Sequence, residues 1–288
     1  MTPLYFTKNK QVVRDLQCKT IENTFSTKLG NLRYFGLTSP EMEDVRNWSP
    51  IFSKIIAVER GRIGEEYLDQ HNLQLTAAKY GLLSKLVLLR GDIDAIALSG
   101  KDTFNNSIPY PVDVVSLDYS GGLFYKNGNN KPYRLKAIEN IIHQQSLHNV
   151  SWLLFISCNL DNLDLREVKE TFNHISTEFT RTGFNIRDVF ESYLTSSLIF
   201  PILKIYVPYY INQITSKYRF SCASEKVITY PGNNRIEMLN FRFLLRKDES
   251  TFAPRFPIER LRQIINCPMI RIENGIQKET NFNLLKIK

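Results

Sequence analysis

VSWLLFIS, Val150–Ser157, is the stretch on which the fold turns. It has the length of a single strand and almost no polar side chain, the pattern of a strand covered on both faces. Such strands belong to parallel sheets with helices on each side. Four earlier runs repeat the theme: Leu32–Thr38 (LRYFGLT), Lys54–Glu59 (KIIAVE), Lys85–Leu89 (KLVLL) and Val112–Leu117 (VDVVSL). Helical segments separate them. Ser39 and Pro40 supply an N-cap followed by proline at the first helical position, which predicts a helix from there to Ser53. Gly64–Tyr80 reads as a helix with Tyr67, Leu68, Leu73, Leu75 and Ala78 as its apolar positions. Ile93–Leu98 reads as a short helix, and Tyr133–His148 as one with Leu135, Ile138, Ile141 and Ile142 on one face.

Beyond the deciding stretch, Leu165–Thr182 is amphipathic, and helix is predicted to continue to Lys217 with breaks near Pro201 and Pro208. Arg219–Val227 and Arg235–Leu245 alternate apolar and polar residues around the turn Pro231-Gly232-Asn233-Asn234, which predicts an antiparallel pair. Strand-then-helix units followed by a terminal hairpin imply an α/β fold. The expected architecture is a doubly wound, mostly parallel sheet with helices on both faces and an antiparallel C-terminal hairpin at its edge. Residues 1–31 are expected to form a helical or extended lead, 32–250 the α/β domain, and 251–288 a basic tail packed on the body.

The chain has 288 residues, 43% of them apolar and 23% charged, which excludes disordered, collagenous and coiled-coil classes. Its net charge of +8 is unevenly spread. Residues 1–199 hold 22 Lys/Arg against 22 Asp/Glu, whereas residues 200–288 hold 15 against 7. A basic end on a neutral body suits either a polyanion, RNA or DNA, or simple solvation. Cys18, Cys158, Cys222 and Cys267 are far apart, and the histidines lack ligand spacing, so no metal site is expected. The N-terminal stretch is polar, and the apolar run Tyr193–Tyr210 is interrupted by Pro201, Lys204 and Pro208. These features predict a cytoplasmic protein with free thiols.

Doubly wound sheets bind ligands at the carboxyl ends of their strands, so the residues after each strand carry the functional information. Gly36 and Leu37 close the first strand. Glu59 and Arg60 follow the second, Asp92 and Ile93 the third, and Asp118-Tyr119-Ser120-Gly121-Gly122 the fourth. An acid at the second strand end can accept two hydrogen bonds from a ribose diol. An acid at the third can accept from an adenine amine, or it can simply cap the next helix.

This arrangement resembles the class I S-adenosylmethionine-dependent methyltransferases over roughly Leu32–Leu245, with Gly36 alone standing where that family carries a glycine-rich loop. The resemblance implies S-adenosylmethionine as cofactor, bound by Gly36, Leu37, Glu59, Arg60, Asp92 and Ile93. It further implies Asp118 and Tyr119 as catalytic residues. They correspond to the motif by which amino-directed nucleic-acid methyltransferases hold an exocyclic amine and stack its base. Arg242, Arg246 and Lys247 are the expected nucleic-acid contacts. A methyltransferase-like subunit without turnover, binding nucleic acid or a protein partner, is the alternative. Cys158 invites a nucleophile reading, for which a buried strand-end thiol is the plainer account.

Overall fold

A computed structural model describes residues 7–60, 66–119, 121–123, 133–159, 200–232, 236–247 and 269–280, together with 173 and 177. The parallel strands are β1 (Leu32–Leu37), β2 (Phe52–Glu59), β3 (Leu86–Arg90), β4 (Val114–Asp118) and β5 (Trp152–Asn159). They lie in the order β3-β2-β1-β4-β5. That is the doubly wound, Rossmann-like order, whose direction of winding reverses between β1 and β4. The expected fold class is what the chain adopts.

Alternation along the strands sorts the core into two layers. Phe35, Ile56, Val58, Val115, Leu117, Leu154 and Ile156 share one cluster with α4 (Ile93–Ser99), α5 (Tyr133–Ser146) and α6 (Phe200–Lys217). Tyr34, Ile55, Ala57, Val114, Leu153 and Phe155 share the other with α1 (Lys8–Thr24), α2 (Glu43–Trp48) and α3 (Glu66–Lys79). Successive side chains of a strand point to opposite faces, so a central strand needs apolar residues at every position. β5 meets that condition, with all eight residues buried.

The antiparallel strands lie at the β5 edge, as expected, and there are more of them than one hairpin. β8 (Glu237–Lys247) pairs antiparallel with the whole of β5 through its residues Met238–Leu245. Its other side receives β6 (Phe220–Ser224) and β7 (Ile228–Pro231) in succession. β9 (Met269–Glu273) then runs parallel to β7 and turns into β10 (Ile276–Thr280). Residues 269–280 of the expected tail therefore extend the sheet. The rest of that tail, Cys267, residues 124–132 and, apart from the helical Asn173 and Thr177, the helix predicted over Leu165–Thr182 lie outside the described residues.

Three local expectations are corrected. The helix predicted from Ser39-Pro40 to Ser53 shrinks to α2 and a 3-10 turn at Ser49–Ile51. Met42 donates its N–H to the Ser39 carbonyl, closing a turn, and sits in the left-handed region (φ 52°), so helical geometry starts only at Glu43. The apolar stripe expected on α3 is mostly outward: Leu73 is buried, while Tyr67, Leu68 and Leu75 are exposed and Ala77 takes the inner position. Third, α6 runs through Pro208 without a break. Its tight packing outweighs the hydrogen bond that a proline forgoes.

Helix α1 docks by an unusually polar face. Asn9, Arg14, Gln17 and Thr20 are buried alongside Val13 and Ile21. Asn9 ties the helix to the carboxyl ends of two outer strands, donating to the Pro231 carbonyl and accepting from Gly275 N–H. Among the described residues, no helix is long and apolar enough to cross a membrane.

Candidate functional site

The carboxyl ends of β1–β4 open into a cleft of about 290 Å³, lined by residues that follow those strands and by side chains from α1, α3 and α5. It lies where the strand order reverses, as the fold dictates. Of the sequence-predicted residues, Leu37, Glu59, Arg60, Asp92, Ile93, Asp118 and Tyr119 all line it. Gly36 does not. A Cβ there would overlap the Ser116 carbonyl oxygen and lie 2.7 Å from the Tyr34 hydroxyl, so the glycine is required by packing between β1 and β4. Packing thus accounts for the glycine, which stands outside the cleft lining.

Asp92 is the N-cap of α4, its Oδ1 accepting from Asp94 N–H (3.0 Å) and Ala95 N–H (3.1 Å). Its Oδ2 lies 3.7 Å from Arg60. Capping satisfies two of the helix's orphan donors and turns the remaining oxygen to the cleft. Glu59 ends β2, its backbone carbonyl accepting from the Gln70 amide at 3.3 Å.

Asp118 faces α1. Lys10 Nζ sits 2.5 Å from its Oδ2, with both side chains mostly buried. Burial opposes the charge on Lys10, but the Asp118 and Asp44 carboxylates outweigh it and hold the pKa of the ammonium above its ordinary value. Arg14, one helical turn on, pairs with Asp44.

Tyr119 is placed differently from expectation. It is buried, its hydroxyl donates to Asp94 Oδ1 at 2.8 Å, and the Arg134 guanidinium lies 4.5 Å from its ring centre. An aromatic ring engaged on its face and at its hydroxyl cannot also stack on a base. Burial pushes the Asp94 carboxyl up to about 6, against the opposing hydrogen bond from Tyr119. Arg134 donates to the Gly122 carbonyl at 2.7 Å, fastening the chain that leaves β4. Ser120 lies outside the described residues.

No protein-family model and no curated protein matches the chain. Solved structures that resemble it include an O-methyltransferase from Bacillus cereus in complex with SAH, with 9% identity, TM-score 0.42, and 82% of this chain and 90% of that one covered. A precorrin-6y C5,15-methyltransferase from Geobacter metallireducens has 11% identity, TM-score 0.41, and coverage of 86% and 93%. A precorrin 8w decarboxylase from Methanobacterium thermoautotrophicum has 11% identity, TM-score 0.34, and coverage of 81% and 87%.

The basic residues expected to meet nucleic acid are elsewhere. Arg242 is buried, bound to Glu225 at 2.6 Å and to Thr20 at 3.0 Å, so it is a structural tie between β8 and α1. The expectation that it is an exposed strand-end cation is corrected by its register, since Arg242 pairs with Phe155 in mid-sheet. Lys247 donates to the Ser146 carbonyl at 2.7 Å and lies over the Phe220 ring, whereas Arg246 is exposed. Both follow Leu245, which pairs with Trp152 at the start of β5. That is five residues below Ser157, the partner of Asp118, or roughly 17 Å down the strand from the cleft floor.

Sequence reasoning missed Lys10, Arg14, Thr38, Asp44, Asp69, Asp94 and Arg134, all of which line the cleft. Asp94 had a signal, since G-D-I-D puts two acids at the start of a helix. Lys10 and Arg14 had none, because only tertiary packing brings α1 over β4. Cys158 is buried and its thiol is pushed up to about 12 by that burial, which removes the nucleophile reading. Among the described residues, no group of three or more His, Cys, Asp or Glu side chains could hold a metal ion.

Proposed function

We propose that this cleft binds S-adenosylmethionine and that the protein is a methyltransferase acting on an amine. The observation that carries the reading is the charge of the cleft. Six carboxylates line it (Asp44, Glu59, Asp69, Asp92, Asp94 and Asp118) against the four cations Lys10, Arg14, Arg60 and Arg134. A dinucleotide at the same switch point would need a glycine-rich loop and a helix N-terminus open to its phosphates. Here the first turn of α2 carries Glu43 and Asp44, which repel anions. An adenosyl ligand bearing a sulfonium and an ammonium suits such walls.

The residues present fit that ligand. Glu59, at the end of β2, accepts from the ribose diol. Leu37, Val58 and Ile93 offer apolar contact to the adenine, and Asp92 keeps one oxygen toward the cleft while capping α4. When bound, the cofactor supplies an electrophilic methyl group. Asp118 is the catalytic residue in this reading: its carboxylate accepts hydrogen bonds from the acceptor amine and aims the nitrogen lone pair. Orientation of this kind, rather than proton transfer, is what the reaction asks of the protein. Lys10 now fills the place of that amine, so acceptor binding exchanges one nitrogen for another at Asp118.

Nucleic acid is not the acceptor this cleft favours. Tyr119 is held by Asp94 and Arg134, and Arg246 and Lys247 lie at the other end of the sheet. The Lys10–Asp118 pair does favour a second reading, a methyltransferase-like protein that binds cofactor without turnover.

Calorimetric titration with S-adenosylmethionine and S-adenosylhomocysteine tests the first step. Glu59→Ala should weaken binding by about 1.5–3 kcal/mol, the range for hydrogen bonds to a charged group. Asp118→Asn should leave that affinity nearly unchanged and abolish transfer of labelled methyl groups to cell-extract acceptors. Absence of binding to the wild-type protein at millimolar ligand would overturn the proposal. Binding without transfer to any acceptor would support the second reading.

A further inference from the structure

We propose that the acceptor is a primary alkylammonium on an unbranched chain, and that Lys10 is its tethered stand-in, occupying Asp118 until the acceptor replaces it. This rests on the reading of Asp118 as the residue that holds the acceptor nitrogen, and it names the acceptor's chemical class.

Charge carries the inference. Lys10 Nζ lies 2.5 Å from Asp118 Oδ2, and the two side chains are 22% and 18% exposed. The other cations of the cleft are committed elsewhere: Arg14 to Asp44, Arg60 to Asp92 and Arg134 to Asp94. Asp118 therefore draws its countercharge from Lys10. Removing one member of a mostly buried ion pair is expensive, because the other charge is left without compensation. A neutral acceptor, whether a hydroxyl or the exocyclic amine of a base, would impose that cost on its own binding. An ammonium exchanges like for like and leaves the charge at Asp118 balanced.

Shape agrees with charge. Lys10 reaches Asp118 from the first turn of α1 on a four-carbon stem, so the cleft wall already accommodates an unbranched chain ending in nitrogen. The exchange needs a side-chain rotation and not an opening of the helix. α1 stays anchored through Asn9 to Pro231 and Gly275, and through Thr20 to Arg242. Lys10 itself is only partly covered, so its ammonium can turn to water. In the reaction the bound ammonium first releases one proton to water. Its lone pair then forms the bond to the methyl carbon, and the carbon–sulfur bond breaks with its electrons left on sulfur. The new bond returns the positive charge to the nitrogen beside Asp118.

The experiment compares the wild-type chain with Lys10→Ala, using n-propylamine, which supplies the three carbons and the nitrogen that alanine lacks. Without cofactor, calorimetry should show propylammonium binding to Lys10→Ala about 10-fold or more tighter than to wild type. Asp118→Asn in the same background should remove that binding, and propan-1-ol, similar in size but uncharged, should bind neither protein. With labelled S-adenosylmethionine, Lys10→Ala should methylate propylamine about 10-fold or more faster than wild type and leave adenosine unmodified. Spermidine and Nα-acetyl-lysine amide, run alongside, separate a free amine from a side chain as the source of the group. A merely structural ion pair predicts a variant no faster with any acceptor. Equal cofactor affinity in the two proteins shows that the variant is folded. No gain in transfer to alkylamines, or methylation of adenosine instead, would overturn this assignment alone. Failure of wild type to bind the cofactor would overturn the adenosyl reading and this assignment with it.

Discussion

At the scale of the residue, Asp94 shows how one carboxyl can serve structure at a cost that depends on pH. Its side chain accepts from Tyr119 and pairs with Arg134 at 3.5 Å, yet burial lifts its pKa from 3.8 to about 6. A carboxyl whose folded pKa exceeds its unfolded one binds more protons in the folded state across the interval between the two. Stability therefore falls as pH rises from 3.8 through about 6 and levels off above it. The loss is at most about 3 kcal/mol, at 1.36 kcal/mol per unit. Urea unfolding of wild type and Asp94→Asn at pH 4 to 7 should show the wild type losing ground to the variant as pH rises. A difference that is flat, or that grows in the wild type's favour, would contradict the burial argument.

At the scale of the element, helix α1 is held by polar ties as well as by the apolar side chains of Val13 and Ile21. Arg242 reaches from β8 to Thr20 on α1 and to Glu225 between β6 and β7. Burial lowers its pKa while Glu225 opposes that shift. Arg242→Ala should cost about 1–3 kcal/mol, the range for losing hydrogen bonds to a charged group, and should loosen α1. Arg246→Ala, on the exposed end of the same strand, should stay within about 0.5 kcal/mol. Chemical denaturation of the two variants separates the roles that the sequence assigned to both residues alike. The same element supplies Lys10 and Arg14 to the cleft, so a loosened α1 would also disturb Asp118.

At the scale of the whole molecule, the sheet grades from a centre covered on both faces to thinly covered edges. β4 and β5 are flanked on either side by other strands, and β5 is buried throughout. β3, at one edge, has a single buried residue of five, and β10 closes the other edge. Opening free energies follow burial and pairing. Amide exchange should therefore be slowest in β4, β5 and the β5-facing bonds of β8, and fastest in β3 and β10. Mass-spectrometric exchange would refute this grading if β10 were as protected as β5. The grading also separates the two ends of the parallel strands: the cleft opens at one, and Arg246 and Lys247 sit at the other.

The sequence by itself determined the doubly wound sheet, because apolar continuity in Val150–Ser157 and its shorter echoes leaves such strands no environment except burial on both faces. It also determined most of the strand-end residues of the cleft, since a parallel sheet brings all its carboxyl ends to one side. Tertiary structure decided the rest. Gly36 proved to be a packing residue because Tyr34 and the Ser116 carbonyl fill the space beside it, a fact of inter-strand distance that no local pattern records. Tyr119 turned inward because Asp94 and Arg134 arrive from two different helices. Arg242 was withdrawn from solvent by its register against Phe155. Lys10 and Arg14 entered the cleft because α1 folds back over β4, bringing together residues more than a hundred positions apart in the chain. Local periodicity fixes which face of an element is buried, but only packing fixes what that face meets.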